Sequence, residues 1–330
     1  MRRRQFVALL GGLAAVPSAS VLAQGTQPAQ SVSRIGLLGS GPPFGGKSPI
    51  VLGLGAAFKA HGYMVGRDVV FVGRAAAGDE KRLPGLVGEL TASGVRLIVS
   101  LGYPAAVAAK EHTRLAVVAM NTGDPVATRL VESLARPGGH VTGISDIASE
   151  LAAKRLQLLT EAVPHVRKVA MLWNADNLGM TFRYKAARAA ALRLHIEVQP
   201  LGVREPDDFG SAFAAMTKDP PDAILMVTDA LTILNHRRVF EFAAAHRLPA
   251  IYEFDFLVRD GGLMSYGPDD AETYDRVAGL ADRILKGANP ADLPFEEPTK
   301  FDLAVNLKTA KAIGLKIPRA ILARADEVVE

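Results

Sequence analysis

The chain has 330 residues, no cysteine, 49% hydrophobic residues and a formal net charge of +4. Arg2, Arg3 and Arg4 supply three of those charges, so the remainder carries +1, with its lysines and arginines spread among acids. That pattern excludes the clustered positive charge a nucleic-acid surface needs, and the missing cysteine excludes disulfides and a lipid-modified N-terminal cysteine.

Residues 1–23 read as a secretory signal peptide. Arg2, Arg3 and Arg4 form a positive n-region, Phe6 to Val16 is an apolar run, and Val21-Leu22-Ala23 is a small-residue cleavage site before Gln24. The run is far shorter than the ~20 residues of a spanning helix, and no later segment supplies a charge-free stretch of that length. The expected product is a soluble periplasmic protein with no membrane anchor. Arg3-Arg4-Gln5-Phe6-Val7 also fits a twin-arginine signal, as it fits an ordinary n-region.

Beyond the leader, short β-rich runs alternate with helical patterns. Strands are expected over 34–38, 69–72, 97–100, 115–120 and 141–144, and a second series over 169–173, 196–201, 223–227, 249–252 and 263–266. Apolar strands separated by helices of 10–15 residues mean βαβ units and parallel sheets, hence an α/β fold. The 3.6-residue period is clean where Leu151, Leu158, Leu159 and Ala162 share a face, and again for Tyr274, Val277, Ala278, Ala281, Ile284 and Leu285. Gly287 stands where the second of these helices should stop. The seam between the two series falls near 144–150. The cluster Asn235-His236-Arg237-Arg238 reads as the solvated face of a helix.

Gly41-Pro42-Pro43-Phe44-Gly45-Gly46-Lys47-Ser48 matches the phosphate-cradling pattern G-x-x-x-x-G-K-[ST] between a strand and a helix. Such a loop works by aiming successive backbone N–H groups at phosphates, and Pro42 and Pro43 have none. It reads instead as a flexible strand-to-helix connection, and no cofactor is expected. Gly39-Ser40-Gly41-Pro42-Pro43-Phe44 likewise lacks the third glycine of a dinucleotide fingerprint. There is no G-x-S-x-G elbow, and the seven histidines show no metal-ligand spacing. No catalytic set and no metal site are expected.

Carboxylates follow strands at Asp124, Asp176, Asp229 and Glu253. Each is open to two readings, a helix N-cap or a ligand contact. In open parallel sheets ligands sit outside the carboxyl ends of the strands, and those ends carry Ser40, Gly102-Tyr103-Pro104, 121–124, 174–177, Thr228-Asp229 and Tyr252-Glu253-Phe254. Two such domains facing each other would place both sets in one cleft with aromatic walls. The candidate ligand-binding residues are Ser40, Gly41, Tyr103, Asp124, Asn174, Thr228, Asp229, Tyr252 and Glu253. An α-amino acid would offer its carboxylate to helix N-termini after Ser40 or Tyr103, and its ammonium to Asp124, Asp229 or Glu253. Tyr103, Tyr252 or Phe254 would stack on a planar side chain, while Trp173 and Tyr266 read as core.

Several segments carry a family resemblance. Gly123-Asp124-Pro125-Val126, Leu134-Ala135-Arg136-Pro137-Gly138-Gly139, Val141-Thr142-Gly143 and Lys154-Arg155-Leu156 are joined by Gly261-Gly262-Leu263-Met264-Ser265-Tyr266-Gly267, Pro298-Thr299-Lys300-Phe301 and Asn306-Leu307-Lys308-Thr309. In this order they resemble the ABC transporter substrate-binding proteins of the tryptophan/tyrosine type. The resemblance implies a type 1 periplasmic-binding-protein fold, two doubly wound parallel-sheet lobes joined by a hinge the chain crosses more than once. It places 31–145 plus about 268–290 in lobe I, and 146–267 plus about 291–330 in lobe II. It further implies a monomeric receptor that delivers a small polar or aromatic solute to an ABC permease at the inner membrane. A ligand-sensing module feeding a signalling protein would use the same fold and cleft. The chain is individual at Tyr103, His140, Ala175-Asp176-Asn177 and Glu253-Phe254-Asp255, so the resemblance leaves the ligand open.

Overall fold

The computed structural model describes residues 32–330; the expected signal peptide lies outside them. The apolar runs form strands and the periodic stretches form helices. The first half contains β1 (Ser33–Gly39), α1 (Pro49–Ala60), β2 (Val69–Ala75), α2 (Leu83–Ala92), β3 (Leu97–Leu101), α3 (Tyr103–His112), β4 (Ala116–Met120) and β5 (Val141–Gly143). The middle runs α4 (Ala148–Ala162), β6 (Lys168–Asn174), α5 (Leu178–Arg193), β7 (Glu197–Val203), α6 (Asp208–Lys218), β8 (Ala223–Met226), α7 (Ala230–Leu234), α8 (His236–Ala245) and β9 (Ala250–Tyr252). Then follow α9 (Asp255–Arg259), β10 (Met264–Pro268), α10 (Asp270–Leu285), β11 (Phe301–Asn306), α11 (Leu307–Ala312), α12 (Arg319–Leu322) and β12 (Glu327–Val329).

The strands form two sheets. The first is five-stranded, ordered β2-β1-β3-β4-β5 and parallel throughout. Its strands are buried on both faces, so they read as unbroken apolar runs such as Leu97-Ile98-Val99. One face packs on α1 and α10 through Leu54, Phe58, Val277 and Leu280. The other packs on α2 and α3 through Val87, Leu90, Ala105 and Ala106. The second sheet is seven-stranded, ordered β12-β11-β10-β9-β8-β6-β7, and it too has a core on each face. The apolar face of α4, with Leu151, Leu158, Leu159 and Ala162, is buried.

Three chain crossings run side by side between the sheets. The first leaves β5, where Ser145 N donates to Glu296 O at 2.8 Å. The second leaves β10, where Asp269 N donates to Lys300 O at 3.0 Å, and the third returns into β11. The helix between the last two, α10, packs on the first sheet. Residues 293–296 stay there as well: Phe295 N bonds Leu134 O at 2.8 Å and Glu296 N bonds Gly143 O at 2.9 Å.

The second sheet departs from all-parallel, because β11 pairs antiparallel with β10. The reason is topological. The chain leaves lobe II at the end of β10 and re-enters beside that same end, so the returning strand must run backwards. Among the described residues no helix is long and apolar enough to cross a membrane.

Candidate functional site

The strand ends converge on a cavity of about 300 Å³ walled by both lobes, at the lower end of the volumes typical of small-molecule sites. Lobe I contributes Ser40 and Gly41 after β1, Leu101 and Gly102 at the end of β3, and Met120 and Asn121 at the end of β4. Lobe II contributes Asn177, Thr228-Asp229 after β8, and Phe254 after β9. The wall is mostly apolar, with Phe44, Ile50, Met180, Ile233, Phe256 and Tyr274 adding to these.

Asp229 is held from three sides. Its Oδ1 accepts from Thr232 N at 3.1 Å while Thr232 Oγ1 accepts from Asp229 N at 2.8 Å, a capping box on α7. Its Oδ2 accepts from Asn174 Nδ2 at 2.7 Å and Asn177 Nδ2 at 3.2 Å. Burial raises its pKa against these bonds. Glu80, after β2, faces the same space, and burial with the neighbouring Asp229 and Asp176 charges pushes its carboxyl up to about 7. Asp270, at the start of α10, is likewise pushed to about 7 by burial and then by Asp255. A hydrogen bond from the buried Ser40 hydroxyl works against the rise at Glu80, and the Thr228 hydroxyl is buried without a hydrogen-bond partner.

Of the residues singled out in the sequence, Ser40, Gly41, Thr228 and Asp229 are in the wall. Asn174 and Glu253 stand directly behind it. Asn174 orients Asp229, and Glu253 accepts from Thr228 N at 3.2 Å while bridging Arg155 at 2.9 Å and Arg183 at 2.5 Å. Arg183 also pairs with Asp146 on the first crossing, and Asp146 accepts from Gly123 N at 2.9 Å.

The other three lie off the cavity. Asp124 is exposed, and its Oδ1 accepts from Val126 N and Ala127 N, both at 2.9 Å, so it caps its own turn. Tyr252 is 1% exposed in the lobe II core, edge-on to Phe240 at 5.1 Å. Tyr103 opens α3 half-buried, packed beside Gly179 of α5 rather than into the cavity. Trp173 is buried and stacks on Tyr184 at 3.7 Å.

Sequence reasoning missed Glu80, Asp270, Phe44, Phe256 and Tyr274. The strand-end rule would have reached Glu80 had β2 been extended past Val72 to its true end at Ala75. In the nucleotide-like loop, Phe44 folds beneath its own turn, close enough that a Cβ on Gly39 would lie 3.1 Å from its ring. Lys47 points outward, exposed, and Ser48 N and Gly45 N donate to Gly45 O and Pro43 O inside the loop.

Residues 45–329 match the profile of a family described as ABC transporter substrate binding protein. The chain belongs to that family. Members bind small-molecule solutes and work with an ABC permease. A curated relative, the tyrosine-binding protein of Clostridioides difficile (strain R20291), is 24% identical over 261 residues, 79% of this chain and 75% of that protein. The ABC domain in complex with L-Trp from Streptococcus pneumonia superposes with a TM-score of 0.82 at 25% identity, over 91% of this chain and 100% of that one. A ligand-free, open substrate binding protein with adhesive properties from Clostridium difficile matches with a TM-score of 0.65 at 22% identity, over 90% of this chain and 99% of that one. This family member therefore has the two-lobed, type 1 periplasmic-binding-protein-like fold.

Proposed function

We propose that the protein is the exported solute receptor of an ABC importer, taking one small solute into the cavity between its lobes and closing about the three crossings. The observation that carries this reading is that both lobes wall a single cavity. A ligand there contacts both, and by binding the closed state better it shifts the ensemble toward closure. The greater likeness to the tryptophan complex, 0.82, than to the open structure, 0.65, supports a closed arrangement of the lobes.

Ser40, Gly41, Thr228 and Asp229 would touch the solute, with Asn174 and Glu253 holding the last two in place. The absence of a nucleophile-and-base set in the sequence supports binding without turnover. Residues 1–23 would direct the chain to the periplasm, where it acts as a monomer; N-terminal sequencing of the periplasmic form should begin at Gln24.

Native mass spectrometry of the purified protein should reveal a co-purified small molecule, and small-angle scattering should show a smaller radius of gyration when that molecule is restored to the stripped protein. Identical scattering with and without saturating solute would remove hinge closure from the proposal. Turnover of the bound molecule would replace a receptor with an enzyme.

A further inference from the structure

The cavity carries three carboxyl groups, Glu80, Asp229 and Asp270, and among the described residues its wall contains no lysine, arginine or histidine. Arg155 and Arg183 are engaged by Glu253, Arg204 by Asp176, and Arg259 by Asp255 and Glu327, and Arg82, two residues from Glu80, donates to the Ala76 carbonyl at 3.1 Å. A bound carboxylate would therefore depend on helix N-termini, where free N–H groups and the helix dipole attract anions.

Those termini have few free donors to offer it. The first turn of α1 carries Pro49 and that of α3 carries Pro104, both in the cavity wall, and each proline removes one N–H. The start of α7 already holds the Asp229 carboxylate. The start of α10 is capped by Asp269 and followed by Asp270. Of the helix starts that line the cavity, those of α1 and α3 carry a proline, those of α7, α9 and α10 an acid, and that of α5 the Asn177 cap.

The acids are costly to ionise where they stand. Burial is the main reason that Glu80 and Asp270 are pushed up to about 7. A ligand cation would repay that cost, and a ligand anion would add to it. Independently, the Thr228 hydroxyl, 4% exposed on a residue of the cavity wall, has no protein partner, whereas the Ser40 hydroxyl lies against the Glu80 carboxyl. A buried hydroxyl in the state of Thr228 leaves room for a partner that the protein does not supply.

We propose that the cavity selects an organic cation, an apolar or aromatic body bearing an ammonium group and no carboxylate, over the corresponding α-amino acid. The ammonium meets Glu80 and Asp229, from opposite lobes, and the apolar body takes the aromatic part of the wall, Phe44, Phe254, Phe256 and Tyr274. This specificity rests on the receptor reading above and narrows it to one substrate class.

Matched pairs that differ by the carboxylate alone test it: tyramine against tyrosine, and tryptamine against tryptophan, titrated calorimetrically into the stripped protein. The amine of at least one pair should bind about tenfold or more tighter than its amino acid, the effect of roughly one charge-assisted contact. Glu80→Gln should weaken amine binding by about tenfold; circular dichroism of the variant checks that it is folded. If tyrosine or tryptophan binds and its amine does not, the cation proposal falls and the receptor stands. If no member of the panel binds, the proposal falls as well, and a protein that also co-purifies with no small molecule loses the receptor reading too.

Discussion

Gly179, in the first turn of lobe II helix α5, lies so close to Thr122 of lobe I that a Cβ built on it would fall 2.6 Å from the Thr122 carbonyl oxygen. Across the same contact Gly123 adopts φ +80°, and a Cβ there would meet Gly179 O at 3.1 Å. The two backbones touch because neither residue has a side chain. Gly179→Ala should wedge the lobes apart. Scattering of the ligand-saturated variant should show a larger radius of gyration than wild type, with affinity reduced about tenfold or more. A variant that closes and binds like wild type would show that this contact does not limit closure.

The buried bridge formed by Glu253 makes a stability prediction. Glu253 is 2% exposed and joins Arg155 to Arg183. Glu253→Gln keeps the shape and removes the charge, leaving Arg155 with neutral acceptors only, among them the Tyr266 carbonyl at 2.7 Å. Stranding a buried guanidinium costs about 3–5 kcal/mol. Chemical denaturation should record a loss of that order, and a loss under about 1 kcal/mol would mean that water enters the site and solvates the arginines.

Asp124 and Asp229 should part company. Asp124 caps an exposed turn, and asparagine caps as well as aspartate. Asp124→Asn should leave both folding stability and ligand affinity within about 0.5 kcal/mol of wild type. Asp229→Asn removes a charge from the cavity and gives the Asn174 and Asn177 amides a weaker acceptor, so affinity for an amine ligand should fall. Equal effects of the two substitutions would contradict the placement.

The pH dependence has two opposite arms. Glu80 and Asp270 are raised in the folded protein from ordinary values of 4.5 and 3.8 to about 7. Their protonated forms favour folding, a contribution fully present below the unfolded values and lost as pH rises towards 7. The charged groups set against Glu80 are Asp229 and Asp176, and those against Asp270 are Asp255, Arg259, Asp269 and Asp302. Glu272 runs the other way. Burial would raise it, but hydrogen bonds from Thr299, Arg276 and Lys300 bring it down to about 2, so its contribution is present above 4.5 and lost as pH falls. In scanning fluorimetry of the ligand-free protein, Glu80→Gln should flatten the decline between pH 4.5 and 7, and Glu272→Gln should flatten the acid limb. An unchanged profile in both variants would refute these shifts.

Lys47→Ala should leave solute affinity unchanged, and neither form should bind ATP. Lys47 is exposed, and Pro42 and Pro43 lack the N–H groups that a phosphate would need. Saturable ATP binding lost in the variant would restore the nucleotide reading.

The sequence by itself determined the elements. Apolar runs and helical periods are local, so β3, β4, β6 and the buried faces of α4 and α10 could be read where they stand, and the strand-end rule reached Ser40, Thr228 and Asp229. It could not orient side chains. In β9 both faces of the strand are buried, so alternation is silent on whether Tyr252 or Glu253 faces the cleft; the fold puts Tyr252 in the core and ties Glu253 to two arginines. Nor could it assemble the charge of the cavity. Glu80 lies in a turn after β2, Asp229 is more than a hundred residues away in the other lobe, and Asp270 arrives on a helix that crosses back. Only the tertiary structure decided that these three acids share one space with no base, because Coulomb interaction and desolvation depend on distance through space.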